Sequence, residues 1–173
     1  DLDHPDELRI DLDPGPGVKW ADVIECARLI RDGLEALKLA SFVKTTGGKG
    51  LHVVAPIAPG ASWDDTAEFS RVVAESTVRA NPRRYVARMA KSERRGKIFI
   101  DYLRNVRGAT SVAAYSTRAT PEATVSVPLA WDELSPRITS GHFTLANLRT
   151  RLDGLKADPW AAYWKTRQKL PEP

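Results

Sequence analysis

Leu8-Arg9-Ile10-Asp11-Leu12-Asp13-Pro14-Gly15-Pro16-Gly17 is the stretch from which the fold is read. From Leu8 to Leu12 apolar and charged residues alternate, the period of a strand with one face in a core. Asp11 and Asp13 then share the other face. The strand has to stop at Asp13-Pro14-Gly15-Pro16-Gly17, because prolines lack the N–H donor and glycines favour turns. Carboxylates at i and i+2 of a strand lie about 7 Å apart at Cα, so they can reach one volume and share divalent cations. On its own, such a pair reads more simply as exposed or turn-capping aspartates, since aspartate is common enough for the pattern to recur by chance.

After this turn, Trp20, Val23, Ile24, Ala27, Ile30, Leu34 and Leu37 recur at helical steps and predict a helix with one apolar stripe. The polar lead-in Asp1 to Glu7 precedes the first strand. Residues 41–44 and 51–55 are β-type runs joined by Thr45-Thr46-Gly47-Gly48-Lys49-Gly50. Ser62 with Asp65 reads as a capping box opening a helix striped by Phe69, Val72, Val73 and Ser76, which ends before Pro82. The segment 83–97 is expected to be helical in its first half. Residues 97–103 are expected to form a strand with Asp101 in its middle. Residues 111–116 and 124–127 read as extended, residues 131–134 as a turn, and two final helices are expected after Thr144 and from Asp158-Pro159.

A chain of 173 residues with 42% hydrophobic residues can fill one core and leaves little for a second full domain. The formal charge of +4 is compatible with a polyanionic partner without requiring one. Cys26 is the single cysteine, so one chain can build neither an internal disulfide nor a cysteine-rich zinc site. Its place in the helical stripe makes it a buried core thiol. No apolar run approaches a membrane-spanning length, and the default compartment is the cytoplasm.

Asp101 stands inside the apolar run Phe99-Ile100-Asp101-Tyr102-Leu103, where a charge is costly unless it is paired or metal-bound. A salt bridge to a nearby arginine is one solution. Joining Asp11 and Asp13 is the other, since three carboxylates around two cations are what phosphoryl transfer needs. Thr46-Gly47-Gly48-Lys49-Gly50 offers a hydroxyl, an ammonium and open backbone N–H groups, a phosphate cradle or else a plain hairpin. It is no Walker A loop, because no Ser or Thr follows the lysine. His52 can aim back at the same loop, and Arg104 and Arg118 are candidate phosphate clamps. The segment 83–97 carries seven cations, Arg83, Arg84, Arg88, Lys91, Arg94, Arg95 and Lys97. It can follow a nucleic-acid backbone, with Arg83, Arg84 and Arg88 as candidate DNA contacts, or be a solvated face.

The same residues carry a family resemblance. Asp1-Leu2-Asp3-His4-Pro5, Ile10-Asp11-Leu12-Asp13-Pro14-Gly15, Thr46-Gly47-Gly48-Lys49-Gly50-Leu51-His52-Val53, Ile98-Phe99-Ile100-Asp101-Tyr102-Leu103-Arg104-Asn105 and Ala114-Tyr115-Ser116-Thr117-Arg118 resemble, in order and spacing, the polymerase domain of bacterial DNA ligase D. That domain belongs to the archaeo-eukaryotic primase superfamily, and the likeness continues through Val127-Pro128-Leu129 and Trp131-Asp132-Glu133-Leu134. The resemblance implies a template-guided polymerase of non-homologous end joining that prefers ribonucleotides and often uses manganese. By motif, Asp11, Asp13 and Asp101 look like the ligands of two Mn2+ or Mg2+ ions. Thr46, where the family usually has serine, looks with Gly47, Gly48, Lys49 and His52 like the triphosphate site, and Arg104 and Arg118 match arginines of that pocket.

The expected fold is therefore α/β (α+β), a primase-type catalytic core whose mixed, largely antiparallel sheet is flanked by helices. The whole chain, 1–173, is expected to be a single primase/polymerase-like domain corresponding to the C-terminal portion of a larger family domain. Expected partners are DNA ends with a template overhang, nucleoside triphosphates, and a ligase domain or DNA end-binding protein, with no membrane. The expected setting is the bacterial cytoplasm, at the nucleoid. Two rival readings stay open. One is a non-catalytic module that binds or bridges DNA ends with the same fold. The other is a nucleotide-sugar transferase, which would use the Asp11/Asp13 pair but offers no account of Asp101.

Overall fold

In the computed structural model, strand β1 (Glu7–Pro14) runs as the alternation requires. Leu8, Ile10 and Leu12 are at most 1% exposed, and Glu7, Arg9, Asp11 and Asp13 take the opposite face. Residues 2–171 are described, so Asp1 of the polar lead-in lies outside the described residues. Helix α1 (Trp20–Ala36) buries Val23, Ile24, Cys26, Ala27, Ile30 and Leu34, the expected stripe. Leu37 departs from that stripe, because it caps the helix past its last turn and is 46% exposed. Burial pushes the Cys26 thiol up to about 12, so the sulfur behaves as a core atom rather than a nucleophile.

Strands β2 (Phe42–Thr45) and β3 (Leu51–Pro56) follow, then helix α2 (Trp63–Ala80), strands β4 (Tyr85–Val86), β5 (Ile98–Asp101) and β6 (Pro128–Leu129), and helix α3 (Leu145–Asp153). The strands form one sheet in the order β4-β5-β1-β3-β2-β6. Among the described strands only β4 and β5 pair in parallel, which gives the mixed, largely antiparallel sheet that was expected. Helices α1 and α2 both pack on the face carrying Leu8, Ile10 and Leu12. Each such buried Leu or Ile contributes roughly 1.5–3 kcal/mol relative to exposure. The face of Asp11 and Asp13 therefore looks away from the helical layer.

Several local expectations are overturned. The capping box of α2 is present, with the Ser62 hydroxyl accepting from Asp65 N and the Asp65 carboxylate accepting from Ser62 N. However, α2 buries Thr66, Ser70, Ala74 and Thr77, whereas Val72 and Ser76 are exposed and Phe69 and Val73 only partly covered. Small hydroxyl residues go inside here because their donors bond their own helix, Thr66 to Ser62 O and Thr77 to Val73 O, and the helix can approach closely.

Residues 83–97 form no α-helix. Ile98 N bonds Arg84 O at 2.8 Å, which draws Tyr85–Val86 into parallel pairing with β5, and only a 3-10 turn at Lys91–Glu93 follows. Asp101 ends β5 instead of sitting in mid-strand, since its Oδ1 accepts from Leu103 N at 2.9 Å and turns the chain.

Residues 111–116 are not a strand. Tyr115 has φ 62°, and this segment folds against Ser126 by Tyr115 N to Ser126 O and Ser126 N to Ser116 O. Residues 124–127 make isolated bridges only, and the paired strand begins at Pro128, tolerated because β6 is a sheet edge. A turn follows at 131–134, and α3 opens on a Thr144/Asn147 capping box. Asp158-Pro159 starts no α-helix, because the Asp158 side chain accepts from Trp160 N and Trp160 donates to Val43 O, which ties the chain to β2. The segment reaches only a 3-10 turn, Tyr163–Lys165.

Candidate metal and nucleotide site

The sheet register aligns four polar residues in one row. Asp101 of β5 lies opposite Asp11 of β1, Asp11 opposite His52 of β3, and His52 opposite Lys44 of β2. Directly opposed residues project from the same face. Asp13, two positions beyond Asp11, joins them there. The face of the sheet turned away from α1 and α2 thus carries all three aspartates.

Each acid is turned toward one nitrogen-bearing neighbour, an imidazole for Asp11 and a guanidinium for Asp13 and Asp101. His52 Nε2 is 3.4 Å from Asp11 Oδ2, Arg94 Nη1 is 3.4 Å from Asp13 Oδ2, and Arg104 Nε is 3.4 Å from Asp101 Oδ2. Among the described residues no three His, Cys, Asp or Glu side chains are already arranged to hold a metal ion. The charge balance of the face nonetheless fits a divalent cation. Burial and the neighbouring Asp11 raise the Asp13 carboxyl above its ordinary value, Asp101 adds to the effect, and Arg94 and Lys49 only partly oppose it. Crowded carboxylates of that kind are relieved by a shared cation. Burial holds the His52 imidazole below its ordinary range, which leaves the ring neutral at pH 7, and its buried Nδ1 has no hydrogen-bond partner.

The loop between β2 and β3 sits beside this row. Gly50 is so close to β1 that a Cβ there would lie 1.8 Å from Leu12 O. Gly47 has φ +67° and lies under Arg118, whose Cγ would be 3.0 Å from a Cβ at Gly47. Thr124 Oγ1 donates to Gly47 O at 2.5 Å and Arg118 N donates to Thr124 O at 2.7 Å, so the Arg118 strip is pinned over the loop. Gly48 and Lys49 are exposed at its tip. Thr46 is placed differently from a residue that would meet a ligand. Its hydroxyl is buried inside the loop, accepting from Gly48 N and Gly50 N and bonding Gly50 O and Ser140.

The arginines of the basic segment are not gathered here as a set. Arg84 donates to Glu25 and Asp22 of α1 at 2.8 and 2.9 Å, and Arg88 is 3.8 Å from Glu93, while Arg83 is exposed. Arg94 is the member that reaches the acids, its guanidinium lying over Phe99 at 3.7 Å.

Sequence reading also passed over Asn105, which is 2% exposed. Its Oδ1 accepts from Arg9 N at 2.8 Å, and its amide donates to Arg9 O at 2.6 Å and to Tyr102 O at 2.8 Å. One side chain thus replaces the strand that β1 lacks beyond its pairing with β5, and ties the turn after Asp101 to the residues before Asp11.

Lys44 was missed as well, although a lysine inside a β-type run was a visible signal. It is 2% exposed, and Nζ donates to Val112 O at 2.8 Å and Ser126 Oγ at 2.9 Å. Burial, helped by Arg9 and Arg118 and opposed by Glu7 and Asp11, pushes its ammonium down to about 7. In the unfolded chain a lysine titrates near 10.4. Between those values the unfolded state binds more protons, so stability rises with pH across the window and the cost of the buried charge is fully felt below it. The expected gain from pH 7 to 10 is roughly 3 kcal/mol, from about 1.4 kcal/mol per unit. Thermal melts of Lys44→Met should lack that alkaline rise, and an equal rise in both proteins would contradict the assignment.

The family model described as "LigD, primase-polymerase domain" matches residues 1–160. The multifunctional non-homologous end joining protein LigD of Pseudomonas aeruginosa is 41% identical over 170 residues, covering 98% of this chain and 20% of that protein. The LigD of Mycobacterium tuberculosis strain H37Rv is 39% identical over 127 residues, 73% of this chain and 17% of that one. The solved polymerase domain of Mycobacterium tuberculosis ligase D, in complex with DNA, superposes with a TM-score of 0.85 at 34% identity, over 91% of this chain and 54% of the other. This chain therefore spans about a fifth of the length of these curated relatives and about half of that solved domain.

Proposed function

This chain belongs to the LigD primase-polymerase domain family, and from that premise we propose that it carries the nucleotidyl-transfer site of a template-guided, ribonucleotide-preferring polymerase acting at DNA ends in non-homologous end joining. What most supports the reading is the register that sets Asp101 opposite Asp11, with Asp13 on the same face. Asp11, Asp13 and Asp101 would hold two divalent cations, Mn2+ or Mg2+. When bound, these supply charge neutralisation on the triphosphate and a lowered pKa for the attacking hydroxyl. The weak 3.4 Å pairings to His52, Arg94 and Arg104 are the contacts the acids exchange for ions.

Arg118, Lys49 and the Gly47-Gly48 backbone bind the triphosphate beside the acids. Arg118 can engage two oxygens through its planar fork, and Lys49 serves as a mobile point charge. His52, buried and neutral, fixes the orientation of Asp11 rather than moving protons. Thr46 holds the loop in shape from inside. Among the described residues no helix is long and apolar enough to cross a membrane.

Incubation with a labelled ribonucleotide, a DNA duplex bearing a template overhang and Mn2+ should yield primer extension that a chelator stops. Binding of the duplex without extension at any metal concentration would instead favour an end-bridging module.

A further inference from the structure

A second feature lies at the other end of the same sheet face, where Tyr163, Trp164 and the chain after them extend past the residues that the family model matches. Trp160, 8% exposed, stacks on Tyr163 at 4.9 Å and 15°, and Phe42 meets both rings edge-on. The Tyr163 hydroxyl donates to Glu7 Oε2, which fastens this aromatic cluster to β1. Trp164 is its outer member, edge-on to Tyr163 at 5.0 Å and 74% exposed. A large indole held by aromatic neighbours yet left in solvent is a platform without a partner in the fold.

The backbone that follows sorts its side chains by parity. Thr166, Gln168 and Leu170 are partly covered, and Lys165, Arg167 and Lys169 are exposed. Gln168 clamps the chain down, exchanging hydrogen bonds with Ala40 N and O, while its own carbonyl accepts from Ala58 N at 2.7 Å. Among the described residues none of the three cations is ion-paired. Arg167 donates only to the Trp164 and Thr166 carbonyls. Lys165 closes the 3-10 turn, and Arg167 and Lys169 follow at two-residue steps that each span at most about 7 Å. A flat indole at the head of such a row has the two elements that sequence-tolerant single-strand binding requires, a stacking surface and a track of positive charge.

Glu7 and Asp11 share one face of β1, about 13 Å apart at ~3.3 Å per residue. Tyr163 is thus tied to the strand about four nucleotide steps of ~3.4 Å from Asp11, and the Trp164 indole stands against the Tyr163 ring. We propose that Trp164, with Lys165, Arg167 and Lys169, binds the single-stranded overhang of the DNA end, a base stacking on the indole and the phosphates following the cations. The identification of the occupant as DNA rests on the proposed polymerase reading. The surface itself does not depend on the three aspartates.

The test measures affinity without nucleotide or metal, by fluorescence anisotropy of labelled duplexes with overhangs of about two or about ten nucleotides. Wild type should prefer the long overhang, and Trp164→Ala should lower that affinity at least fivefold, with little effect on the short one. Trp164→Phe should restore most of it. The triple variant K165E/R167E/K169E should flatten the salt dependence of long-overhang binding by about two logarithmic units per decade of salt. Unaltered preference for the long overhang in both Trp164→Ala and the triple variant would overturn the proposal even if wild type extends primers. Loss of that preference in a protein that extends nothing would sustain this surface while the polymerase reading fails.

Discussion

Asp13→Ala is expected to reduce metal-dependent ribonucleotide incorporation by at least ~10³-fold, equivalent to about 4 kcal/mol of transition-state stabilisation. The chain should remain folded. Asp13 is 45% exposed at its side chain and is not among the core residues, and its ion pair to Arg94 is long. Burial and Asp11 already raise its carboxyl above the ordinary range, so the ionised form is disfavoured in the fold and removing it takes away repulsion. The melting temperature of Asp13→Ala in the absence of metal should therefore equal or slightly exceed that of wild type. Added Mn2+ should raise the wild-type value more than the variant's. Incorporation rates and melts on the same preparations check this. A variant that keeps its activity, or loses it only by unfolding, would contradict the assignment.

Gly50→Ala is the second large effect, and it acts through the backbone. A Cβ at Gly50 would stand 1.8 Å from Leu12 O and 2.9 Å from Leu12 C, atoms of the central strand that have no freedom to retreat. Gly50 also accepts from Thr46 N and Thr46 Oγ1, and it immediately precedes Leu51, the register partner of Leu12. Relieving the clash means pushing the loop away from β1 at the residue next to Asp13. Stability should fall by roughly 2–4 kcal/mol, at the upper end for a single substitution, because the clash overpacks against backbone. Incorporation should fall further than residual folding explains, because the loop and the acid move apart. Gly48→Ala is the comparison, since its Cβ would meet Thr46 Oγ1 at an ordinary 3.4 Å and stability should stay near wild type. Denaturant melts of the two variants separate these outcomes, and equal stability would show that β1 and the loop are not so closely apposed.

Where apolar residues recur with a clean period, the chain could be read before its structure was seen. The alternation through Leu8, Ile10 and Leu12 placed β1, and the stripe of Val23, Ile24, Ala27, Ile30 and Leu34 placed α1. Both elements bury the hydrophobic side that the pattern marks. Helix α2 misled because its buried ridge is built from Thr66, Ser70, Ala74 and Thr77, and a side chain that satisfies its own hydroxyl gives no hydrophobic signal.

The segment after Pro82 misled for a different reason. Its course is set by pairing with β5, a partner that local propensity cannot see. The convergence of Asp11 with Asp101 was an inference from chemistry, and the register now places them face to face. Lys44 and Asn105 escaped notice because each does its work through long-range contacts, to Val112 and Ser126 in one case and to Arg9 in the other. Arg94 was counted only as one of a basic run, although it is the one of those cations that lies against Asp13.

Asp11, Asp13 and Asp101, on the face turned away from α1 and α2, are proposed to grip a pair of cations. Titration of Mn2+ into the chain with a non-hydrolysable nucleoside triphosphate, followed by the electron paramagnetic resonance of free Mn2+, tests this most directly. Uptake of two ions per wild-type chain is expected, with weakened uptake in both Asp11→Asn and Asp101→Asn. Equal uptake by wild type and both variants would contradict the proposal.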